Sequence, residues 1–256
     1  MRDPRDEFIA GRQSEVVLIG DLKGRFFVVA HRGASGHEPE NTLRAVRRAI
    51  EIGADVVEVD VRVSKDGALV VIHDDTVDRT TSGRGKVRDM TAAELRSLDA
   101  GKGERIPLLE EVLDEVKGRV ALFLELKELE AAAPALRLVK ERGMLDQVLF
   151  ISFDPETLSA VKGAEPASHV GLIYVKPEGG IVEAKRLGCE FVLPYYRLAT
   201  EKAVAFAHRM KLLVVAWTVD DPALAAELKG RGVDGVASNY PDRILPLRGS
   251  TSASTR

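Results

Sequence analysis

The chain alternates short apolar runs with longer amphipathic segments, and this rhythm strongly limits the folds open to it. Eight runs have the length and β-branched content of buried strands. They are Phe26–Ala30, Asp55–Val61, Val120–Leu126, Gln147–Ser152, His169–Ile173, Glu190–Pro194, Leu212–Trp217 and Asp234–Ala237. Strands that alternate with helices favour a parallel sheet, and eight such units close naturally into a barrel. The sequence therefore predicts an α/β protein with a (β/α)₈ (TIM) barrel.

Most gaps between these runs hold a segment with helical periodicity. These segments are Asn41–Ile52, Leu108–Val116, Ala131–Arg142, Pro155–Gly163, Gly179–Arg186, Thr200–Arg209 and Asp221–Lys229. Two of them begin with an Asp-Pro pair, at Asp154 and Asp221, which places a capping side chain before a proline at the first helical position. These helix-start signals agree with crossover helices between parallel strands.

One gap, between Asp55 and Val120, is about 65 residues long and too large for a single unit. It contains a second apolar run that ends at His73, and then the stretch 76–105, where Thr91 and Glu94 form a capping-box pattern. We expect a small hairpin-plus-helix insertion over the barrel mouth, without a core of its own.

The predicted organisation is one barrel domain with peripheral ends. The barrel covers residues 26–247 including the insertion 76–105, preceded by an N-terminal extension at 1–25. The tail 248–256 is rich in serine and threonine and is predicted to be disordered.

Composition excludes several classes of function. The net charge of −3 gives no basic field for nucleic acid or anionic lipid, and no apolar stretch approaches the ~18 residues of a membrane span. The N-terminus lacks the pattern of a signal peptide, and the single cysteine, Cys189, allows no internal disulfide. We expect a cytoplasmic protein without stable membrane insertion.

Polar side chains gather at the carboxyl ends of the predicted strands, where barrels of this type carry their sites. His31 and His73 each end an apolar run. Glu58 and Asp60 are two residues apart on one strand and therefore share a face, while their valine neighbours face the other way. Buried carboxylates are costly without positive charge beside them. Oxygen ligands of this kind favour a hard divalent cation such as Mg²⁺ or Ca²⁺.

The remaining candidates supply the other parts of a phosphodiester site. Glu125 adds a third carboxylate, and Arg32 and Lys127 are cations suited to holding a phosphate. The two histidines can exchange protons near neutral pH. Plainer interpretations stay open, because the carboxylates and cations could form ordinary barrel ion pairs. Trp217 fits either packing or contact with a ligand.

A resemblance adds to this interpretation. The segment His31–Thr42, which reads HRGASGHEPENT, resembles the opening signature of glycerophosphodiester phosphodiesterases. The similarity continues through 53–61 and 73–81 and reaches residue 245 with weaker echoes. It implies a (β/α)₈ barrel with an insertion after strand two.

The resemblance also implies roles for individual residues. It makes His31 and His73 the acid–base pair. It gives Glu58, Asp60 and Glu125 to one Ca²⁺ or Mg²⁺, with Mn²⁺ as a further candidate. It gives Arg32 and Lys127 to the phosphate and Glu40 to support of the first loop. The implied reaction starts with attack of a glycerol hydroxyl on phosphorus, and water then opens a cyclic phosphate to leave glycerol 3-phosphate.

Two strand ends depart from the family pattern. Asp220 stands where the family usually has asparagine, and Asn239 stands where it usually has aspartate. The two changes look like an exchange of acid and amide between neighbouring strands. We hypothesise that the local charge is kept and that activity survives.

The sequence therefore predicts metal-dependent hydrolysis of small glycerophosphodiesters to glycerol 3-phosphate and an alcohol. One alternative is a lysophospholipase D-type hydrolase with the same site, and another is a non-catalytic phosphate-binding barrel. An isomerase or aldolase barrel is disfavoured because the glycine-rich backbone of a phosphate site at strands seven and eight is largely missing. For the oligomeric state, both a monomer and a homodimer stay open.

Overall fold

Eight strands form a closed ring in the computed structural model, which describes residues 17–248. The predictions for residues 1–16 and 249–256 lie outside the described residues. The strands are β1 (Phe27–Ala30), β2 (Val56–Val63), β3 (Leu69–Val71), β4 (Ala121–Leu126), β5 (Val148–Ser152), β6 (His169–Tyr174), β7 (Phe191–Pro194), β8 (Leu213–Ala216) and β9 (Gly235–Ser238). The helices are α1 (Leu43–Ile52), α2 (Ala92–Arg96), α3 (Leu109–Val116), α4 (Ala132–Glu141), α5 (Pro155–Ala164), α6 (Gly180–Arg186), α7 (Glu201–Arg209), α8 (Pro222–Gly230) and α9 (Pro241–Ile244).

The ring closes because β1 pairs in parallel with both β2 and β9. Val29 lies opposite Val56 on one side, and Ala30 lies opposite Ser238 on the other. The ninth strand, β3, stands outside the ring and pairs with β2 in antiparallel fashion. The predicted (β/α)₈ barrel with an insertion after its second strand is confirmed.

The helix starts follow from the capping residues seen in the sequence. Thr42, Asp154 and Asp221 each accept hydrogen bonds from backbone N–H groups in the first turn that follows. Helix α1 ends at Gly53, whose left-handed backbone (φ 85°) suits a residue without a side chain. No helix within residues 17–248 is long and apolar enough to cross a membrane.

Strand alternation divides the apolar residues between two cores. Side chains such as Val57, Val59 and Val61 point outward and pack under the ring of helices. The side chains that alternate with the outward-facing ones along each strand point into the barrel, where Phe27 of β1 and Phe123 of β4 meet edge to face. The short helix Ile19–Leu22, within the predicted N-terminal extension, buries its two end residues in this inner core.

The insertion differs from the expectation in one respect. It contains the predicted short helix, α2, whose capping box forms between Thr91 and Glu94. The expectation that it lacks a core was wrong, because a separate buried cluster lies beneath it. That cluster consists of Val70, Ile72, Val77, Val87, Leu95, Ala100 and Ile106. These residues gave no regular period in the sequence, because turns and a single helical turn bring them together.

Candidate active site

The inner faces of the strands continue as polar side chains at one end of the barrel. His31 comes directly after β1 and follows Phe27 and Val29 at a spacing of two, and in β4 the apolar Phe123 is followed by Glu125. The cavity at this end has a polar side and an apolar side. It is lined by Val29, His31, Arg32, Glu58, His73, Phe123, Glu125, Ile151, Phe153, Ile173, Leu193, Trp217 and Ala237.

Three carboxylates form a cluster at the polar side of the cavity, and two of them, Glu58 and Glu125, line it. Asp60 and Glu125 are register partners on the adjacent parallel strands β2 and β4, and Glu58 lies two residues before Asp60 on the same face. All three are buried, and one oxygen from each lies within 4.8 Å of the others. Glu58 Oε2 accepts a 2.7 Å hydrogen bond from the backbone N–H of Arg32, whereas the buried Oε1 of Glu58 has no partner among the described residues. This donor set fits a divalent cation.

The electrostatics of the cluster are strongly perturbed. Burial and the neighbouring carboxylates raise the pKa of Glu58 well above its usual value. Burial and Asp60 raise the pKa of Glu125 to about 7. Burial acts in the same sense on Asp60, but Lys127 and Arg32 outweigh it and hold the pKa of Asp60 well below its usual range. The cluster therefore favours added positive charge.

Both predicted phosphate ligands lie beside these carboxylates. Lys127 Nζ lies 2.5 Å from Glu125 Oε1 and 3.1 Å from Asp60 Oδ1. Arg32 donates from Nη1 to Glu40 over 2.9 Å, and its Nε lies 3.4 Å from Asp60 Oδ2. Glu40 thus holds the Arg32 side chain within the first loop, and the supporting role that the resemblance implied for Glu40 stays a prediction. The role of both cations toward phosphate stays a prediction.

The predicted proton-transfer residue His31 is held by an amide. Its Nδ1 lies 2.8 Å from Asn239 Oδ1, and Asn239 Nδ2 donates to Asp220 Oδ2 over 2.8 Å. Because Asp220 Oδ2 accepts from the amide nitrogen, the amide oxygen faces His31. Nδ1 therefore carries the hydrogen, and Nε2 has the free lone pair. Burial and the nearby Arg32 lower the pKa of His31.

The second candidate, His73, is held by a carboxylate. Its Nδ1 lies 2.7 Å from Asp74 Oδ1. Burial lowers the pKa of His73, although Asp60 opposes the effect. His73 lines the same cavity as His31, Glu58 and Glu125. The structure thus brings both histidines to the cluster of carboxylates, each with Nδ1 occupied.

Two polar residues in this region were missed by sequence reasoning. Asn41, which the sequence placed at the start of a helical segment, is buried, donates from Nδ2 to Asp60 Oδ2 over 2.8 Å and accepts from the Asp60 backbone N–H. The helix cap is Thr42. Arg79, in the insertion, donates to both Asp74 and Glu40. Both lie in segments that carry the family resemblance, His31–Thr42 and 73–81, but no periodicity pointed to Asp60 and Glu40 as their partners, which are 19 and 39 positions away.

Trp217 forms part of the apolar side of the cavity. Its indole N–H donates to the Leu193 carbonyl over 2.8 Å, which fixes the ring. The ring packs edge to face against Phe153 and Tyr195, with centroids 5.7 and 5.9 Å away. Trp217 therefore packs against its neighbours and also borders the cavity, while its contact with a ligand stays a prediction.

Comparisons with known proteins point in one direction. The model of the glycerophosphoryl diester phosphodiesterase family matches residues 31–243. A glycerophosphodiester phosphodiesterase of Caldanaerobacter subterraneus subsp. tengcongensis is 36% identical over 242 residues, which cover 86% of this chain and 96% of that protein. One of Bacillus subtilis is 32% identical over 248 residues, 85% of either chain.

Solved structures agree with this result. A phosphodiesterase of Oleispira antarctica, solved in complex with the product sn-glycerol-3-phosphate, superposes with a TM-score of 0.82 at 33% identity, covering 86% of this chain and 95% of that one. The glycerophosphodiester phosphodiesterase of Thermotoga maritima gives a TM-score of 0.76 at 31% identity, covering 87% and 98%.

These matches confirm both the resemblance and the predicted enzyme class, a phosphoric diester hydrolase. They cover the barrel from the first histidine loop to the last helix, together with the whole carboxylate cluster. This chain belongs to the glycerophosphoryl diester phosphodiesterase family.

Proposed function

We propose that this protein hydrolyses glycerophosphodiesters to glycerol 3-phosphate and an alcohol, with a divalent cation and two histidines. One observation carries the proposal. Two imidazoles, each with Nδ1 engaged, line the same cavity as Glu58 and Glu125, which form a cluster of three buried carboxylates with Asp60. Glu58 has an oxygen without a partner among the described residues. A binding protein needs no such acid–base pair.

The carboxylates of Glu58, Asp60 and Glu125 would hold the cation, Mg²⁺, Ca²⁺ or Mn²⁺. When bound, it supplies positive charge that stabilises the negative charge developing on the phosphate oxygens. Arg32 and Lys127 lie beside the cluster and add to this charge, which also orients the phosphate.

The partners of the two histidines differ, and this difference assigns their roles. His31 is partly buried and contacts a neutral amide rather than a carboxylate. Burial lowers its pKa and so favours the neutral imidazole, whose Nε2 is suited to accept a proton. We assign it as the base that deprotonates the attacking glycerol hydroxyl. His73 contacts the Asp74 carboxylate, which favours the imidazolium and opposes the lowering of the His73 pKa by burial. We assign it as the acid that protonates the departing alcohol oxygen.

The two roles reverse in the second half of the reaction. His73, now neutral, deprotonates a water molecule that attacks the cyclic phosphate. His31, now charged, returns its proton to the glycerol oxygen as the ring opens. Each histidine thereby regains its starting state, and glycerol 3-phosphate remains.

The apolar side of the cavity favours a second candidate, a lysophospholipase D-type reaction at the same site. Phe153 is 44% exposed at the mouth, and Ile173, Leu193 and Trp217 continue the apolar surface inward. This surface comes from β5 to β8 and the residues that follow them. The acyl chain of a lysophospholipid, which stays on the glycerol half when the headgroup alcohol leaves, would fit there.

The test is release of glycerol 3-phosphate from a panel of glycerophosphodiesters, and of the headgroup alcohol from a panel of lysophospholipids, with Ca²⁺, Mg²⁺, Mn²⁺ or EDTA. We expect activity that chelation abolishes and that His31→Ala and His73→Ala each reduce by ~10²-fold or more. His169→Ala is the matched control, because His169 pairs with Glu190 at the opposite end of the barrel strands. Turnover unchanged by EDTA would refute the metal role, and binding without turnover would favour the non-catalytic alternative.

A further inference from the structure

Arg79 makes an unusually complete set of contacts for a residue whose side chain is 48% exposed. Its guanidinium donates to Asp74 from Nε over 2.7 Å and from Nη2 over 2.9 Å. It also donates to Glu40 from Nη1 over 2.9 Å and from Nη2 over 2.8 Å. One planar group therefore bridges two carboxylates from two different loops.

Each carboxylate leads directly to a residue of the cavity. Asp74 Oδ1 contacts His73 Nδ1 at 2.7 Å, and Glu40 Oε1 accepts from Arg32 Nη1 at 2.9 Å. The contacts form one chain, which runs from His73 through Asp74, Arg79 and Glu40 to Arg32. This chain joins the loop after β1 to the loop after β3 at the cavity mouth.

The bridge fixes the positions of both ends. Without Arg79, the carboxylates of Asp74 and Glu40 would repel one another, and Asp74 could rotate away from His73. The base of the bridge is itself held, because Val77, two residues before Arg79, is buried in the small core of the insertion. Bidentate pairs of this kind restrict both partners to one geometry.

We propose that Arg79 is a positioning residue that sets His73 and Arg32 in their working arrangement, so that the insertion takes part in assembling the site. This proposal rests on the proposed function, because the arrangement of His73 and Arg32 is argued to serve hydrolysis. Arg79 acts through its two carboxylate partners rather than on the substrate.

The first test compares Arg79→Ala with Arg84→Ala. Arg84 is a matched control, since it lies on the same insertion, is 90% exposed and only approaches Asp78 at 3.8 Å. We expect Arg79→Ala to lower kcat by ~10²-fold with KM nearly unchanged, because a loosened acid is misplaced in every turnover. Arg84→Ala should match the wild type. Arg79→Lys should recover little, because one ammonium cannot make two bidentate pairs.

A double-mutant comparison separates positioning from other roles. In a background with Asp74→Asn and Glu40→Gln, adding Arg79→Ala should cause little further loss of kcat. A full additional loss, or a rise in KM at constant kcat, would mean that Arg79 contacts the substrate and would overturn the proposal. A lower melting temperature with unchanged kcat per folded molecule would also overturn it.

A second readout does not depend on hydrolysis. In protein labelled with ¹⁵N-histidine, the imidazole signals of the five histidines can be followed, with His73→Ala to assign the relevant one. Arg79→Ala should shift the His73 ring signal and Arg84→Ala should not. An unmoved His73 signal in both variants would overturn the proposal. If the wild type hydrolyses no diester, the proposed function fails. The His73 ring signal would still show whether Arg79 positions that residue.

Discussion

The acid and amide exchanged between strands β8 and β9 give the sharpest test of how His31 is held. Asp220 accepts from the Asn239 backbone N–H and side-chain N–H, each over 2.8 Å, and from the Ser238 hydroxyl over 2.9 Å. In the variant Asn239→Asp, two carboxylates would face each other at about the same separation. With an effective dielectric constant of ~20, their repulsion is ~6 kcal/mol at 2.8 Å, an upper bound.

The variant can escape this repulsion by taking up a proton or by turning the new carboxylate away. Either escape disturbs the contact that holds the hydrogen on His31 Nδ1. The converse variant, Asp220→Asn, removes charge-assisted hydrogen bonds that contribute ~1.5–3 kcal/mol and frees the Asn239 amide to flip. We expect each single variant to lower kcat by ~10- to 10²-fold.

The double variant, Asp220→Asn with Asn239→Asp, should recover much of this loss. The new amide at position 220 would donate to the new carboxylate at position 239, and that carboxylate would accept from His31 Nδ1. Every donor would again meet an acceptor. A carboxylate beside His31 stabilises its charged form, so the acidic limb of the pH profile should move to higher pH.

The assay is kcat and kcat/KM of the wild type, both single variants and the double variant across pH, with the free energy of unfolding as a control. The control separates a misplaced His31 from a protein that is simply less folded. Losses that add, with no recovery in the double variant, would refute the reasoning.

The carboxylate cluster, the first loop and the apolar side of the cavity each give a further prediction. Burial and Asp60 raise the pKa of Glu125 to about 7, so the metal-free protein should lose folding stability as the pH rises from ~4.5 through ~7. Ca²⁺ should therefore raise the melting temperature more near pH 8 than near pH 5.5. Equal shifts of the melting temperature at the two pH values would contradict this. Gly33→Ala should lower the free energy of unfolding, measured in urea, by at least ~2 kcal/mol, because φ is 76° and the new Cβ would lie 2.6 Å from the Ala45 carbonyl carbon. Gly67→Ala is the control for the backbone part of this loss, because φ there is 82° and the new Cβ would meet open space. Phe153→Ala should raise KM for lysophospholipids more than for glycerophosphocholine, and equal effects would exclude the apolar surface from selectivity.

The barrel and the residue types of its site were predictable from the amino-acid order alone. Strands buried on both faces need continuous apolar runs, so the eight runs were visible without any tertiary information. The spacing of two along β2 placed Glu58 beside Asp60 on one face, and the structure shows that face to be the inner one. Parallel strands end at one edge, which brings Glu125 and His31 to the same place.

How these side chains are held could not be predicted in this way, because it depends on contacts between distant segments. Asn41 bonds Asp60 across 19 residues, Asn239 reaches His31 across 208, and Arg79 reaches Glu40 across 39. Contacts of this kind leave no periodic trace, because each depends on a loop conformation that many sequences could adopt. Local chemistry thus dictated which groups meet at the barrel mouth, while the folding of distant loops onto one another set the partner, and so the protonation and orientation, of each group.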